Sequence, residues 1–128
     1  MRSIRHLFTA LAVATSLAAI ATSAPAVLAD PADYQSISCY SQWNDSTHLF
    51  GIGVGAYATW DSDNGDIAAF NSASPYVYAY APYSWTGTSA TWTYQGLTSG
   101  TATASGLAQA IIAGVIVGQQ TESVSCSV

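Results

Sequence analysis

Apolar and polar residues alternate along much of the chain, and this pattern predicts β-strands. Residues 34–43 read YQSISCYSQW and are predicted to form the first strand. Residues 49–60 read LFGIGVGAYATW, which places glycines on one strand face and Phe50, Ile52 and Val54 on the other. A face without side chains lets another group approach closely. We expect aromatic rings from a facing strand to cover these glycines; a ligand groove is the alternative.

Residues 75–94 form an uncharged aromatic stretch, PYVYAYAPYSWTGTSATWTY. The tyrosines before the second proline alternate with small residues, so a strand would carry all of them on one face. That face fits two roles, a packing face over the glycine strand or an exposed binding face. The turn at residues 82–85 is the preferred exposed contact, because proline interrupts strand pairing. The candidate binding residues are Tyr76, Tyr78, Tyr80, Tyr83, Trp85 and Trp92.

Residues 107–118, LAQAIIAGVIVG, are compatible with a helix or a strand. The spacing of Leu107, Ile111 and Val115 suits a helix, whereas the many β-branched residues and Gly114 favour a strand. We predict a buried strand, and the segment is too short to span a bilayer as a helix. Residues 119–127 then alternate as the closing strand.

Residues 61–66, DSDNGD, are predicted to form a hairpin with a type I′ turn at Asn64-Gly65. The acidic side chains also permit a loose calcium site formed by Asp61, Asp63 and Asp66. The spacing of an EF-hand is absent, because the required glycine and glutamate are missing. Seven or eight short strands separated by such turns predict an all-β fold, a small antiparallel β-sandwich or barrel.

The N-terminus predicts export. The only two arginines precede an apolar run at residues 7–21 that ends in small residues, which is typical of a signal peptide. We predict a signal peptide at residues 1–29, cleaved before Asp30, and a single β-rich domain at residues 30–128 that is secreted to the extracellular space. A retained membrane anchor is the alternative, and the serine, threonine and proline residues within the run disfavour it.

Cys39 and Cys126 are the only cysteines. Disulfides persist in exported proteins, and two cysteines allow one intramolecular pairing. We therefore predict a Cys39–Cys126 disulfide that joins the first strand to the last; free thiols or an intermolecular bridge are the alternative.

The charge of residues 30–128 limits the possible partners, because this range contains no Lys or Arg. Nucleic acids and anionic membranes both attract proteins mainly through these cations. Catalysis is also disfavoured. His48 is the only histidine of the range, and no nucleophile elbow occurs. A carboxylate pair for glycoside cleavage would have to come from the turn aspartates or Glu122. We predict neither an enzyme nor a bound cofactor, calcium excepted.

Two resemblances concern the outline of the chain. Cysteines near both ends of a charge-poor domain, carried by Cys39-Tyr40-Ser41-Gln42-Trp43 and Cys126, resemble bacterial cellulose-binding sandwich modules. The glycine-spaced segments GIGVG and AGVIVG resemble the small barrels of actinobacterial virulence-associated proteins. Neither resemblance includes a diagnostic motif, so no residue role is transferred.

We predict a secreted, non-enzymatic binding protein whose aromatic surface engages an extracellular protein or glycan. The alternative is a secreted toxin, or a self-assembling or membrane-active β protein, acting through residues 107–118 and the glycine-rich strand. A small protease inhibitor is a third possibility, with Ala81-Pro82-Tyr83 as the tip of its reactive loop.

Overall fold

The computed structural model describes residues 33–128, so the predicted signal peptide at residues 1–29 lies outside the described part. The described chain forms six antiparallel strands, which confirms the all-β prediction. The prediction of seven or eight strands is wrong, because the strands are long, from 11 to 14 residues. The strands are β1 (Tyr34–Asn44), β2 (Phe50–Asp61), β3 (Asp66–Ala79), β4 (Tyr83–Gln95), β5 (Gly100–Ile112) and β6 (Val115–Ser127).

The strands form two three-stranded sheets, with the orders β1-β2-β3 and β4-β5-β6. Each sheet is a meander of consecutive antiparallel strands, and a turn with a cis Ala81-Pro82 peptide connects the two sheets. Pro75 lies within β3, which is an edge strand and therefore tolerates a residue without an N–H.

The core lies between the two sheets and consists of unusually small side chains. Ile52 and Val54 of β2 pack against Ala102 and Ala104 of β5. Along β5, buried Gly and Ala residues alternate with half-buried Thr, Ser, Leu and Gln residues from Gly100 to Ala110, as the two faces of a strand require. The small inner side chains let the sheets approach each other, which explains why a stretch that looks turn-rich in sequence is a central strand.

The disulfide between Cys39 and Cys126 is present, which confirms the predicted pairing. Cys39 belongs to β1 and Cys126 to β6, the edge strands of different sheets, and their Cα atoms are 5.6 Å apart. Cys126 is part of the buried core. The bond therefore links the two sheets covalently.

Two hairpin turns differ from the predictions. Positive φ at a non-glycine residue occurs, within residues 33–128, at His48 and Ala113 only, so Asn64 lacks the backbone of a type I′ turn. Residues 62–65 instead form a longer turn that ends at Gly65, with φ 76°. The tight turn with positive φ at both central residues is Ala113-Gly114, with φ values of 52° and 77°. It divides residues 107–118 between β5 and β6, and residues 111–118 are exposed, so the prediction of one buried strand is wrong.

The two ends of the molecule differ in chemistry. At one end, Asp61 pairs with Asp66, and Ser62 N–H donates to the carbonyl oxygen of Asp33 at 2.8 Å. At the other end, Phe50 pairs with Ala79, and residues 111–117 extend as an exposed hairpin. We call these the acidic end and the apolar end.

The loop between β1 and β2 is organised by the carboxylate of Asp45. Its Oδ1 accepts a hydrogen bond from Phe50 N–H at 3.0 Å and its Oδ2 accepts one from Thr47 N–H at 2.9 Å, with a further bond from the Thr47 hydroxyl. Partial desolvation raises the pKa of Asp45, but these bonds outweigh it and lower the pKa from 3.8 to about 2.

The Asp45 carboxylate should therefore stabilise the fold above its ordinary pKa, and this contribution should disappear as the pH falls from about 4 to about 2. We expect Asp45→Asn to lower the free energy of unfolding at neutral pH and to differ little from wild type at the acid limit. Urea denaturation over a pH series measures the difference. Asp63→Asn is the matched control: the negative charge of Asp33 raises the pKa of Asp63, so neutralising Asp63 should not destabilise the protein at neutral pH. A constant difference between wild type and Asp45→Asn at all pH values would contradict the prediction.

Candidate functional site

The outer face of the β1-β2-β3 sheet carries tyrosine rings above glycines. In the strand register, Gly55 of β2 lies between Tyr40 of β1 and Ser74 of β3. A Cβ atom built on Gly55 would lie 2.7 Å from Tyr76 Cε2, and one built on Gly53 would lie 3.1 Å from the Tyr40 hydroxyl oxygen. The prediction that rings cover the glycines is confirmed. The rings come from neighbouring strands of the same sheet, so the prediction of a facing strand is wrong.

A shallow groove of about 350 Å³ lies on this face, and we call it the tyrosine groove. Its floor includes Gly55, and its walls carry exposed aromatic rings and hydroxyl groups. No charged residue lines it. The hydroxyl-bearing side chains that line the groove are those of Tyr40, Tyr57, Tyr76, Ser38, Ser72 and Ser74.

Hydrogen bonds order the side chains beside the tyrosine groove. The Tyr40 hydroxyl donates to Gln42 Oε1 at 2.8 Å, and Gln42 Nε2 donates to Asn44 Oδ1 at 2.6 Å. The Tyr78 hydroxyl donates to the same Asn44 oxygen at 2.8 Å. Desolvation, followed by the negative charge of Asp45, raises the pKa of Tyr78, so its hydroxyl stays protonated. These hydrogen-bonded side chains extend the polar edge of the groove along β1 and across to β3.

The predicted binding residues lie in three different places. Tyr76 and Tyr78 lie on the outer face of β3, and Tyr80 is exposed in the turn that follows it. Trp85 and Trp92 are half-buried and pack on the core, and each indole N–H has an acceptor. Trp85 Nε1 donates to the carbonyl oxygen of Tyr78 at 2.9 Å, and Trp92 Nε1 donates to that of Asn71 at 3.1 Å.

Tyr83 belongs to an aromatic cluster at the apolar end. Its ring centroid lies 4.5 Å from that of Phe50, which is also 5.7 Å from Trp43 and 5.9 Å from Trp85. A cleft of about 650 Å³ opens above Trp43, Phe50 and Tyr83 and is bordered by residues 117–120 of β6 and by residues 45–47 of the loop between β1 and β2. Of the predicted contact at residues 82–85, Pro82 is exposed and the next three residues are half-buried.

Two tyrosines of the groove, Tyr40 and Tyr57, were not among the predicted binding residues. Tyr40 lies in the cysteine-containing first strand, and the pairing of Tyr40 with Gly55 joins residues that are distant in sequence. The sequence signal was present in the alternation of residues 34–43, which puts Tyr40 on the same strand face as Gln42. The register between strands was needed to bring these residues to Tyr76.

The remaining candidates do not form a site in the described part of the chain. Residues 33–128 contain no group of three or more His, Cys, Asp or Glu side chains placed to hold a metal ion, so Asp61, Asp63 and Asp66 are not assembled as calcium ligands. Asp61 Oδ1 instead accepts the N–H of Asp63 at 3.0 Å. His48 is an exposed loop residue with φ 55°.

No family model matches the sequence, and the comparisons with curated proteins and with solved structures give no match either. Among residues 33–128 there is no helix with the length and hydrophobicity that crossing a membrane requires.

Proposed function

We propose that this chain is a secreted, non-enzymatic binding protein that holds a neutral glycan in the tyrosine groove. The observation that carries the proposal is the grouping of Tyr40, Tyr57 and Tyr76, all exposed, around a glycine floor. Tyrosine presents a flat apolar ring and a polar edge, which suits the apolar face and the hydroxyl groups of a sugar ring.

The absence of charge along the groove supports a neutral ligand. Its polar groups are serine and tyrosine hydroxyls, which both donate and accept hydrogen bonds. An anionic saccharide would lack a cation to pair with, since the chain from residue 30 onwards contains no Lys or Arg. A sugar with unmodified hydroxyl groups could stack its apolar face on the tyrosine rings and form hydrogen bonds with the serine and tyrosine hydroxyls.

The groove is also preorganised. Its side chains project from paired strands of a disulfide-linked fold. The ring centroids of Tyr40 and Tyr76 lie 6.1 Å apart, with an interplanar angle of 58°. Residues held on strands lose little conformational entropy on binding, so more of the contact energy appears as affinity.

We expect Tyr76→Ala to weaken binding of the preferred neutral polysaccharide by at least about tenfold, because a well-placed aromatic contact at a binding site contributes on the order of 2 kcal/mol. Isothermal titration calorimetry against a panel of uncharged polysaccharides and their short oligomers measures the affinity. An acidic polysaccharide in the panel should bind more weakly than the neutral ones.

Tyr94→Ala is the matched control, because Tyr94 has the same side chain and is equally exposed, 57% against 56% for Tyr76, but lies on the other sheet. It should bind like wild type. Gly55→Ala is a second test, since the added Cβ would displace the Tyr76 ring from the groove floor. The proposal fails if no neutral polysaccharide binds, or if Tyr94→Ala weakens binding as much as Tyr76→Ala.

A further inference from the structure

The hairpin at residues 111–117, which we call the apolar tip, exposes aliphatic side chains that no part of the described chain covers. Ile112 and Ile116 are 55% and 50% exposed, although isoleucine is among the residues most often buried. The exposed aliphatic residues of the tip are Ile111, Ile112, Val115, Ile116 and Val117. No charged residue occurs anywhere in residues 67–121.

The aliphatic residues cover both faces of the tip. Ile111 pairs with Ile116 and Ile112 pairs with Val115, and consecutive residues of a strand point to opposite faces. A protein partner docked on one face would leave the other face in water. A medium that surrounds the tip on all sides matches this pattern better.

The position of the tip gives the molecule an amphipathic long axis. Four of the six side-chain carboxylates of the described chain lie at the acidic end, opposite the tip, whereas Asp45 lies in the loop between β1 and β2, beside the cleft at the apolar end. The four are those of Asp33, Asp61, Asp63 and Asp66. At an interface between water and an apolar phase, this distribution favours one orientation, with the tip in the apolar phase and the acidic end in water.

The base of the tip is held in place beside the turn that connects the two sheets. Ile111 N–H donates to the carbonyl oxygen of Pro82 at 2.8 Å, which fixes the hairpin to the turn between the sheets. Tyr83 follows that proline and pairs with Ala110, and Tyr80 lies two residues before the proline in the same turn. Tyrosine is enriched where proteins meet the headgroup level of a membrane. Val117 also borders the cleft above Trp43, Phe50 and Tyr83, so the apolar tip joins the aromatic side of that cleft, whereas its other side is polar and includes Asp45.

From the two apolar faces and the polarity of the long axis, we infer that the apolar tip inserts into the interfacial region of electrically neutral lipid bilayers. The tip has two residues before the turn and three after it, and the longer arm extends about 10 Å, close to the depth at which interfacial segments enter a bilayer. This is about a third of the hydrocarbon thickness, so the tip anchors the protein without crossing. The free backbone groups at the hairpin edges meet water and ester carbonyls at this depth.

The net negative charge of the chain favours electrically neutral lipids over anionic ones. The range from residue 33 onwards has six carboxylates and no Lys or Arg, so an anionic surface repels the protein and offers no compensating attraction. Phosphatidylcholine vesicles should therefore bind the protein more strongly than vesicles that also contain phosphatidylglycerol.

The test is a vesicle flotation assay on the protein recovered after export, with wild type and variants that share the same N-terminus. We expect the double variant I112S/I116S to lower partitioning onto phosphatidylcholine vesicles by at least about tenfold, because two aliphatic side chains are lost from the inserted surface. Leu97→Ser is the matched control. Leu97 is 75% exposed, and its carbonyl oxygen accepts the N–H of Ile67 at the acidic end. Loss of the Leu97 side chain should leave partitioning onto phosphatidylcholine vesicles unchanged.

Circular dichroism and a thermal melt establish that I112S/I116S keeps the wild-type fold. Failure of wild type to float with phosphatidylcholine vesicles would overturn the inference, as would an equal loss in Leu97→Ser. Release of an encapsulated dye would contradict interfacial depth. Sedimentation that shows a lipid-free dimer, abolished by I112S/I116S, would assign the tip to self-association instead. Tyr76→Ala should float like wild type, which separates this inference from the proposed glycan site.

Discussion

Reduction of the Cys39–Cys126 disulfide should lower the free energy of unfolding by about 4 to 5 kcal/mol, because the bond closes a loop with a sequence separation of 87 residues. The entropy that an unfolded chain regains when a loop is opened increases with loop length, and this bond spans most of the folded domain. For a domain of this size, the expected fall in melting temperature is on the order of 20 °C. Thermal melts of oxidised and reduced protein, with thiol content assayed, measure it.

The double variant C39A/C126A provides the control for this experiment. Its melting temperature should not respond to reductant, since it has no disulfide, and it should lie near that of the reduced wild type. Because the reduced protein keeps both sulfur atoms in the core, comparison with the variant separates the covalent link from the lost side-chain volume. A reduced protein that melts with the oxidised one would show that the bond adds nothing to stability.

The disulfide was predictable because the sequence contains two cysteines and one possible pairing. The first two strands were predictable for a similar local reason: their alternation is regular, and β1 and β2 begin and end within one residue of the predicted limits. Local patterns of this kind need no knowledge of distant residues. The class of the fold follows from them.

The predicted number of strands was wrong because local composition and the packing of the two sheets favour different structures for the same residues. The stretch GLTSGTATASG is rich in turn-forming residues and predicts no more than one short strand, but most of it belongs to the 13-residue strand β5. The inner face of β5 carries Gly100, Ala102 and Ala104, whose small size lets the sheets approach each other. The turn at Ala113-Gly114 was not predicted, because the composition of this segment does not indicate a turn. Alanine rarely adopts positive φ, so nothing in its identity marks the turn that the hairpin requires.

The candidate site was predictable in part. The alternation of Tyr76 and Tyr78 correctly gave one tyrosine face on β3, and the glycines of β2 correctly indicated a surface that rings cover. The contribution of Tyr40 depended on the pairing of β1 with β2, which joins it to Gly55. The orientation of Trp85 and Trp92 toward the core depended on the packing of two sheets, which strand alternation alone does not define.

The same small-residue packing gives Ile52 an unusual importance. It is one of two fully buried large side chains in the described structure, and the strand that faces it contributes alanines to the core. The side chains of Ala102 and Ala104 have no rotamers by which they could move into a space vacated by Ile52. A cavity at this position would therefore stay largely open, and the cost of a cavity increases with the volume that the surroundings fail to fill.

We expect Ile52→Ala to lower the free energy of unfolding by about 3 to 5 kcal/mol, the upper part of the range for such truncations. Urea denaturation at neutral pH measures the change. Ile116→Ala removes the same atoms from the exposed apolar tip and should change stability by no more than about 0.5 kcal/mol. Equal losses from the two variants would mean that the tip is packed in solution, whereas a loss below about 2 kcal/mol for Ile52→Ala would mean that the two sheets collapse around the missing side chain.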